Sequence, residues 1–265
     1  MSLSSDLRVL GIATATARGD LAAIYSWRTW LGGWLLRVLA QVTFFALIGE
    51  LLGSRETARY LAVGNAVAIV VVEAMMVIAS TTWERNAGTL PLLVAAPGPL
   101  PLVFVGRSVQ WLADGTACAC IAFLAVGALF GVPLASARTV LVVPLIVLIG
   151  AATYAFGLLA AALVLKAVAL RNVVSNTGYL ALVAITGVQV PVSFWPGWVQ
   201  GVAQVLPVTH GLAAVRGVVA AAPLQEVARN AALELAVGVG WMTVALLSFR
   251  QLAESGRRDG SIKFS

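Results

Sequence analysis

The chain has one histidine, His210, and two cysteines, Cys118 and Cys120, among its 265 residues. A single imidazole excludes an HExxH zinc site and any two-histidine metal cage. No serine–histidine–carboxylate order nominates a nucleophile. Cys118 and Cys120 lie two apart in an apolar run, so on a helix they point to nearly opposite sides. That spacing argues for two small apolar side chains and against a disulfide. A GxxxxGK[ST] phosphate loop does not occur, and neither Lys166 nor Lys263 follows a glycine-rich turn. The chemistry that remains is that of single charges set in apolar sequence, which are costly in a bilayer and tend to be functional. Arg37 and Asp114 fall at similar depths and either pair with each other or leave Arg37 to snorkel toward the headgroups. Glu73 sits near the middle of an apolar stretch, with Gln41 at a similar depth. It reads as a protonated or hydrogen-bonded helix contact, or as a carboxylate on a transport path that selects cationic or polar groups. Glu50 and Glu234 lie nearer the outer interface, where water reaches them.

The elements that carry these residues follow from composition. The sequence is 60% hydrophobic and 11% charged, with mean hydropathy +0.96. Soluble domains carry about 25% charged residues. A surface this poor in charge needs lipid as its solvent, and one transmembrane domain accounts for residues 1–265. The net charge of +6 does not form the clustered footprint that phosphate backbones require, so no nucleic-acid partner is expected. Arginine in place of lysine, with abundant Ala, Val and Gly, suggests a GC-rich bacterial genome and a bacterial cytoplasmic (inner) membrane. No signal peptide is evident, since Asp6, Arg8, Arg18 and Asp20 interrupt the first twenty residues.

A spanning helix needs about 20 mostly apolar residues. Six stretches qualify: 33–53, 60–83, 108–130, 140–165, 173–192 and 231–252. With the N-terminus inside, only Arg55, Arg59, Arg138, Arg216 and Arg229 of the 17 basic residues face out. Both termini are therefore placed in the cytoplasm. Residues 1–32 read as an amphipathic start, with Leu21, Ile24, Trp27 and Trp30 on the apolar side of a helix lying on the inner surface. Residues 33–252 form the membrane region and 253–265 a cytoplasmic tail. The inner loop 83–107 is broken into short pieces by Pro91, Pro97, Pro99 and Pro101. Residues 191–223 are apolar, yet Pro191, Pro196, Pro207 and Pro223 cut them too short to cross. A hairpin of two half-helices dipping in from outside fits, turning near Pro207 and shielded from lipid by protein. Trp241 falls in mid-helix and anchors no interface. The fold class is all-α.

Two stretches carry a family resemblance. The first is Trp83-Glu84-Arg85-Asn86-Ala87-Gly88-Thr89-Leu90-Pro91-Leu92-Leu93, followed by Ala96-Pro97. The second is Phe194-Trp195-Pro196-Gly197-Trp198, then Leu206-Pro207-Val208-Thr209-His210-Gly211-Leu212 and Arg216. Together and in this order they resemble ABC exporter permeases of the second type, the drug-, polysaccharide- and lipid-exporting subunits. Pro91 stands where that family's pattern has a glutamate, a change that suits a helix start.

The resemblance implies that Glu84, Arg85, Gly88 and Thr89 form a coupling helix seated on a separate ATP-binding subunit, two copies per complex. It implies that Pro196, Pro207, Thr209 and Arg216 belong to an outer re-entrant gate. A second permease is implied as well, either an identical chain or a paralogue. This chain would bind no cofactor itself, with ATP and Mg2+ on the partner subunit, and would not be an enzyme. Amphiphilic drugs, antibiotics or lipid-like molecules are the expected cargo. A lipid-acting membrane enzyme using Glu73 or His210 would need a second convergent polar group in the same half of the bilayer. A secondary transporter would often show paired repeats with broken spans, and no repeat is visible.

Overall fold

The structure is a computed structural model that describes residues 3–86, 100–165 and 168–259. Among the described residues every regular element is helical, and the chain is an all-α, multi-pass membrane protein. An N-terminal helix α1 (Leu3–Ile24) ends at an unwound Tyr25–Ser26 step. Ser26 then caps the next helix, since its hydroxyl accepts the Thr29 N–H and its own N–H donates to the Thr29 hydroxyl. That helix, α2 (Trp27–Leu51), is the first span. It begins six residues before the expected start, because the capping box fixes the helix end ahead of the apolar run. Trp27 and Trp30 thus belong to the span rather than to the surface helix. Residues Trp30–Leu35 form a π-helical turn, a local widening found often at functional positions.

A tight outer turn through Gly53, with φ +72°, leads to Ser54, whose hydroxyl caps Thr57 N–H at 3.1 Å. The second span runs from Arg55 to Thr81 with a break at Met76, giving α3 (Arg55–Met75) and α4 (Val77–Asn86). The third, α5 (Leu100–Leu129), starts earlier than expected, with Pro101 inside its first turn, where a missing N–H costs nothing. The fourth span, α6 (Val142–Val164), opens from a 3-10 turn and matches the expected stretch. The last, α10 (Leu224–Asp259), is longer than its apolar run.

The fifth stretch differs. Helix α7 (Arg171–Ile185) covers only part of 173–192, and the chain unwinds beyond it through Gly187, whose φ of +94° only glycine adopts freely. The outer hairpin follows as α8 (Gly197–Val205) and α9 (Thr209–Val219), bent by 89°. Among the described residues five helices are long and apolar enough to cross a bilayer, and a sixth if this bent pair counts as one.

Packing ranks the spans. The most apolar window of the second is 89% buried, against 22% for the first and 17% for the last. The second span is therefore the hub, with α2, α5 and α6 around it. Helix α1 leans along the inner part of α5, where Gly106 admits Ala13, and α10 packs along α6.

Candidate functional site

One end of the bundle, the outer one by the sequence expectation, is organised around the break in the hairpin. Three residues, 206–208, turn the chain between α8 and α9. Pro207 cannot donate, and Val208 takes φ +87°, a conformation that costs a β-branched residue about 1–3 kcal/mol. The first N–H groups of α9 would be orphaned at membrane depth. Glu234 of α10 answers them. Its side chain is 0% exposed, with Oε1 accepting the Val208 N–H at 2.7 Å and Oε2 the Gly211 N–H at 2.8 Å. The carboxyl group sits at the N-terminal end of α9, where the helix dipole favours negative charge. Sequence reasoning gave Glu234 to water, and the structure corrects this. Depth along a helix was legible, but the direction of the side chain was not.

Other side chains fasten the same turn. Thr209 Oγ donates to the Ala203 carbonyl at 2.6 Å, and His210 Nε2 lies 3.0 Å from the Gln204 carbonyl. Trp241 Nε1, expected to anchor nothing, donates to the Val205 carbonyl at 2.8 Å. Pro207 is buried in the bend, and exposed Pro196 precedes α8 as its N-cap residue.

Arg216 of α9 reaches a second irregular segment. Its guanidinium carbon lies 3.5 Å from the Tyr60 ring centroid, and Nη2 donates to the Tyr60 carbonyl at 3.4 Å. The Tyr60 hydroxyl donates to the Gly187 carbonyl at 2.6 Å. One turn deeper, Asn65 and Gln189 exchange side-chain hydrogen bonds of 3.0 and 3.4 Å. Gly64 lets the second span approach closely, since a Cβ there would collide with the Val188 carbonyl. The unwound backbone after α7 is thus shielded and partly paired by polar groups of α3, the condition for irregular backbone in a membrane.

A second polar cluster lies toward the opposite end of the bundle. The Arg37–Asp114 pair is not formed. Asp114 instead accepts Trp30 Nε1 at 2.7 Å, and the Arg37 guanidinium lies 4.1 Å over the Trp34 ring. The π turn in α2 carries both tryptophans. Glu73 is 1% exposed with both carboxylate oxygens unbonded. Arg37 is the cation that reaches it electrostatically. Gln41 turns to Tyr179 of α7 rather than to Glu73. Outside the membrane span, burial first, and then the carboxylates of Glu73 and Asp114, push the Tyr25 phenol above its usual pKa.

Glu84 and Arg85 lie near the end of α4, a continuation of the second span, whereas Gly88 and Thr89 fall outside the described residues. Among the described residues no group of three His, Cys, Asp or Glu could hold a metal ion.

A bent pair of short helices precedes the last apolar helix, as the second sequence stretch predicted, whereas most of the first stretch lies outside the described residues. The family described as ABC-2 type transporter matches residues 21–219. The chain belongs to that family. The match starts inside α1 and runs to the last residue of α9, so it covers both polar clusters except for Glu234 and Trp241. The protein is a transmembrane subunit of an ABC transporter. Members of this family associate with an ATP-binding subunit and in pairs. No curated protein matches the chain.

Proposed function

We propose that this ABC-2 permease is the membrane half of an ATP-driven exporter that moves amphiphilic drug, antibiotic or lipid-like molecules out of the cytoplasm or inner leaflet. The observation that supports this reading is the bent hairpin fastened to the last span by Glu234, a tie suited to holding one end of a pathway shut. ATP and Mg2+ belong to a separate ATP-binding polypeptide, present in two copies. A second permease, identical or paralogous, completes the pathway in a bacterial cytoplasmic membrane.

The mechanism follows from which parts are rigid. ATP-driven closure of the two nucleotide-binding subunits must enter through the cytoplasmic end of the second span, where Glu84 and Arg85 continue α4 toward Gly88 and Thr89. The second span is the hub of the bundle, so force applied there reaches both polar clusters. At its outer end Tyr60 and Asn65 hold the irregular segment and Arg216, and these in turn border the hairpin. Thr209, Pro207 and Pro196 shape the gate itself. Charge reversal at both Glu84 and Arg85 is expected to abolish substrate-stimulated ATP hydrolysis of the reconstituted complex while the permease still inserts. Retention of full stimulation, or a permease that never co-purifies with an ATP-binding subunit, would overturn the reading.

A further inference from the structure

A cavity of about 380 Å³ opens where α1, α2 and α5 meet, lined by Arg18, Ala22, Tyr25, Trp27, Trp30 and Asp114 together with the Ser26 turn. Its composition is unusual for a joint between helices. Three aromatic residues and one carboxylate share the lining, and the Arg28 guanidinium lies 5.3 Å from the Trp27 ring centroid. Asp114 offers Oδ1 to Trp30, while its buried Oδ2 has no hydrogen-bond partner. Behind it Glu73 packs against Gly115, where a Cβ would fall 2.5 Å from Glu73 Cβ. Glu73 is 1% exposed and both of its oxygens are unbonded. Buried carboxyls with three oxygens lacking a hydrogen-bond partner either keep their protons or need a counter-charge, so a cation entering the cavity would be favoured by their ionised form. Arg37 reaches Glu73 electrostatically from over the Trp34 ring, and Arg18 is exposed at the rim, but neither donates a hydrogen bond to these oxygens.

We propose that this cavity admits amphiphilic organic cations from the inner leaflet, with Asp114 and, behind it, Glu73 as counter-charges and Tyr25, Trp27 and Trp30 as an aromatic wall. Aromatic faces attract ammonium-type cations through the ring quadrupole, most strongly where water is excluded. Apolar substituents find the lining they need in the rings themselves. The same chemistry would accept a free solute or the ammonium headgroup of a lipid. The inference depends on the exporter reading only for the direction of movement, because binding is measured with neither nucleotide nor ATP-binding subunit.

The test uses the full chain in phosphatidylcholine nanodiscs, with tetraphenylphosphonium and tetraphenylborate as probes of the same shape and opposite charge. Saturable binding of tetraphenylphosphonium, about tenfold or more tighter than tetraphenylborate, is expected. Asp114→Asn keeps an oxygen for Trp30 and is expected to remove about tenfold of that affinity. Glu73→Gln should remove less, being farther from the opening. Should Asp114→Asn fail to fold, Trp27→Ala, at an exposed position of the wall, is expected to weaken binding several-fold. Equal affinity for the two ions, or unchanged affinity in all folded variants, would overturn the proposal. Repeating the titration in uncharged glycolipid nanodiscs separates the sources. A lipid headgroup occupant would compete only in phosphatidylcholine, whereas a free solute binds equally in both.

Discussion

Glu234 has the clearest consequences among single residues. Each hydrogen bond to a buried charged group contributes about 1.5–3 kcal/mol, and Glu234 makes two to backbone N–H groups that have no water to turn to. Glu234→Ala is expected to destabilise the folded protein by about 3 kcal/mol or more, measured by unfolding in mixed micelles. Glu234→Gln, with a single acceptor oxygen, should lose roughly half as much. Equal stability of all three proteins would mean that the turn holds itself. Gly64→Ala makes a second case, since its Cβ would collide with the Val188 carbonyl. It should reduce the yield of monodisperse protein, whereas Gly32→Ala, with nothing within 4 Å of the added carbon, should leave it unchanged. These roles were hidden in the sequence for one reason. Hydropathy reports how far along a helix a residue lies, and neither Glu234 nor Gly64 announces which neighbour it faces.

Among the elements, the broken ones carry the information. Spans one to four and the last were legible, because about 20 apolar residues leave a backbone in lipid no alternative to a helix. The hairpin was legible as well, through its prolines. The end of α7 was not. Residues 186–190, Thr-Gly-Val-Gln-Val, continue an apolar run, and what holds them out of the helix comes from far away in sequence, the Tyr60 hydroxyl donating to the Gly187 carbonyl and Asn65 pairing with the Gln189 side chain. The Asn65–Gln189 exchange should therefore show coupling of about 1 kcal/mol in a double-mutant cycle with Asn65→Leu and Gln189→Leu. Strict additivity of the two single changes would indicate that the pair contributes nothing beyond its separate parts. The expected Arg37–Asp114 pair failed for a related reason. An indole N–H is a weaker sequence signal than a guanidinium, but the π turn brings Trp30 to the carboxylate first.

For the molecule as a whole, the burial of the second span against the exposure of the first and last separates hub from periphery. A lysine introduced at Val67, wholly buried on the second span, should prevent assembly, while Val239→Ala on the exposed face of α10 should be silent in both yield and stability. Size-exclusion profiles distinguish the two. The tie between Glu234 and the hairpin break has a further implication. Glu234 grips the start of α9 and Trp241 the end of α8, both from α10, so neither half-helix can swing outward alone without stripping hydrogen bonds from the last helix. Opening toward the exterior must then drag the final helix along with the kinked pair as one lever. A cross-link between Trp241 and Val205, once both are changed to cysteine, would arrest that lever only if the two pieces separate during the cycle; if they travel together, the linked protein should go on turning over.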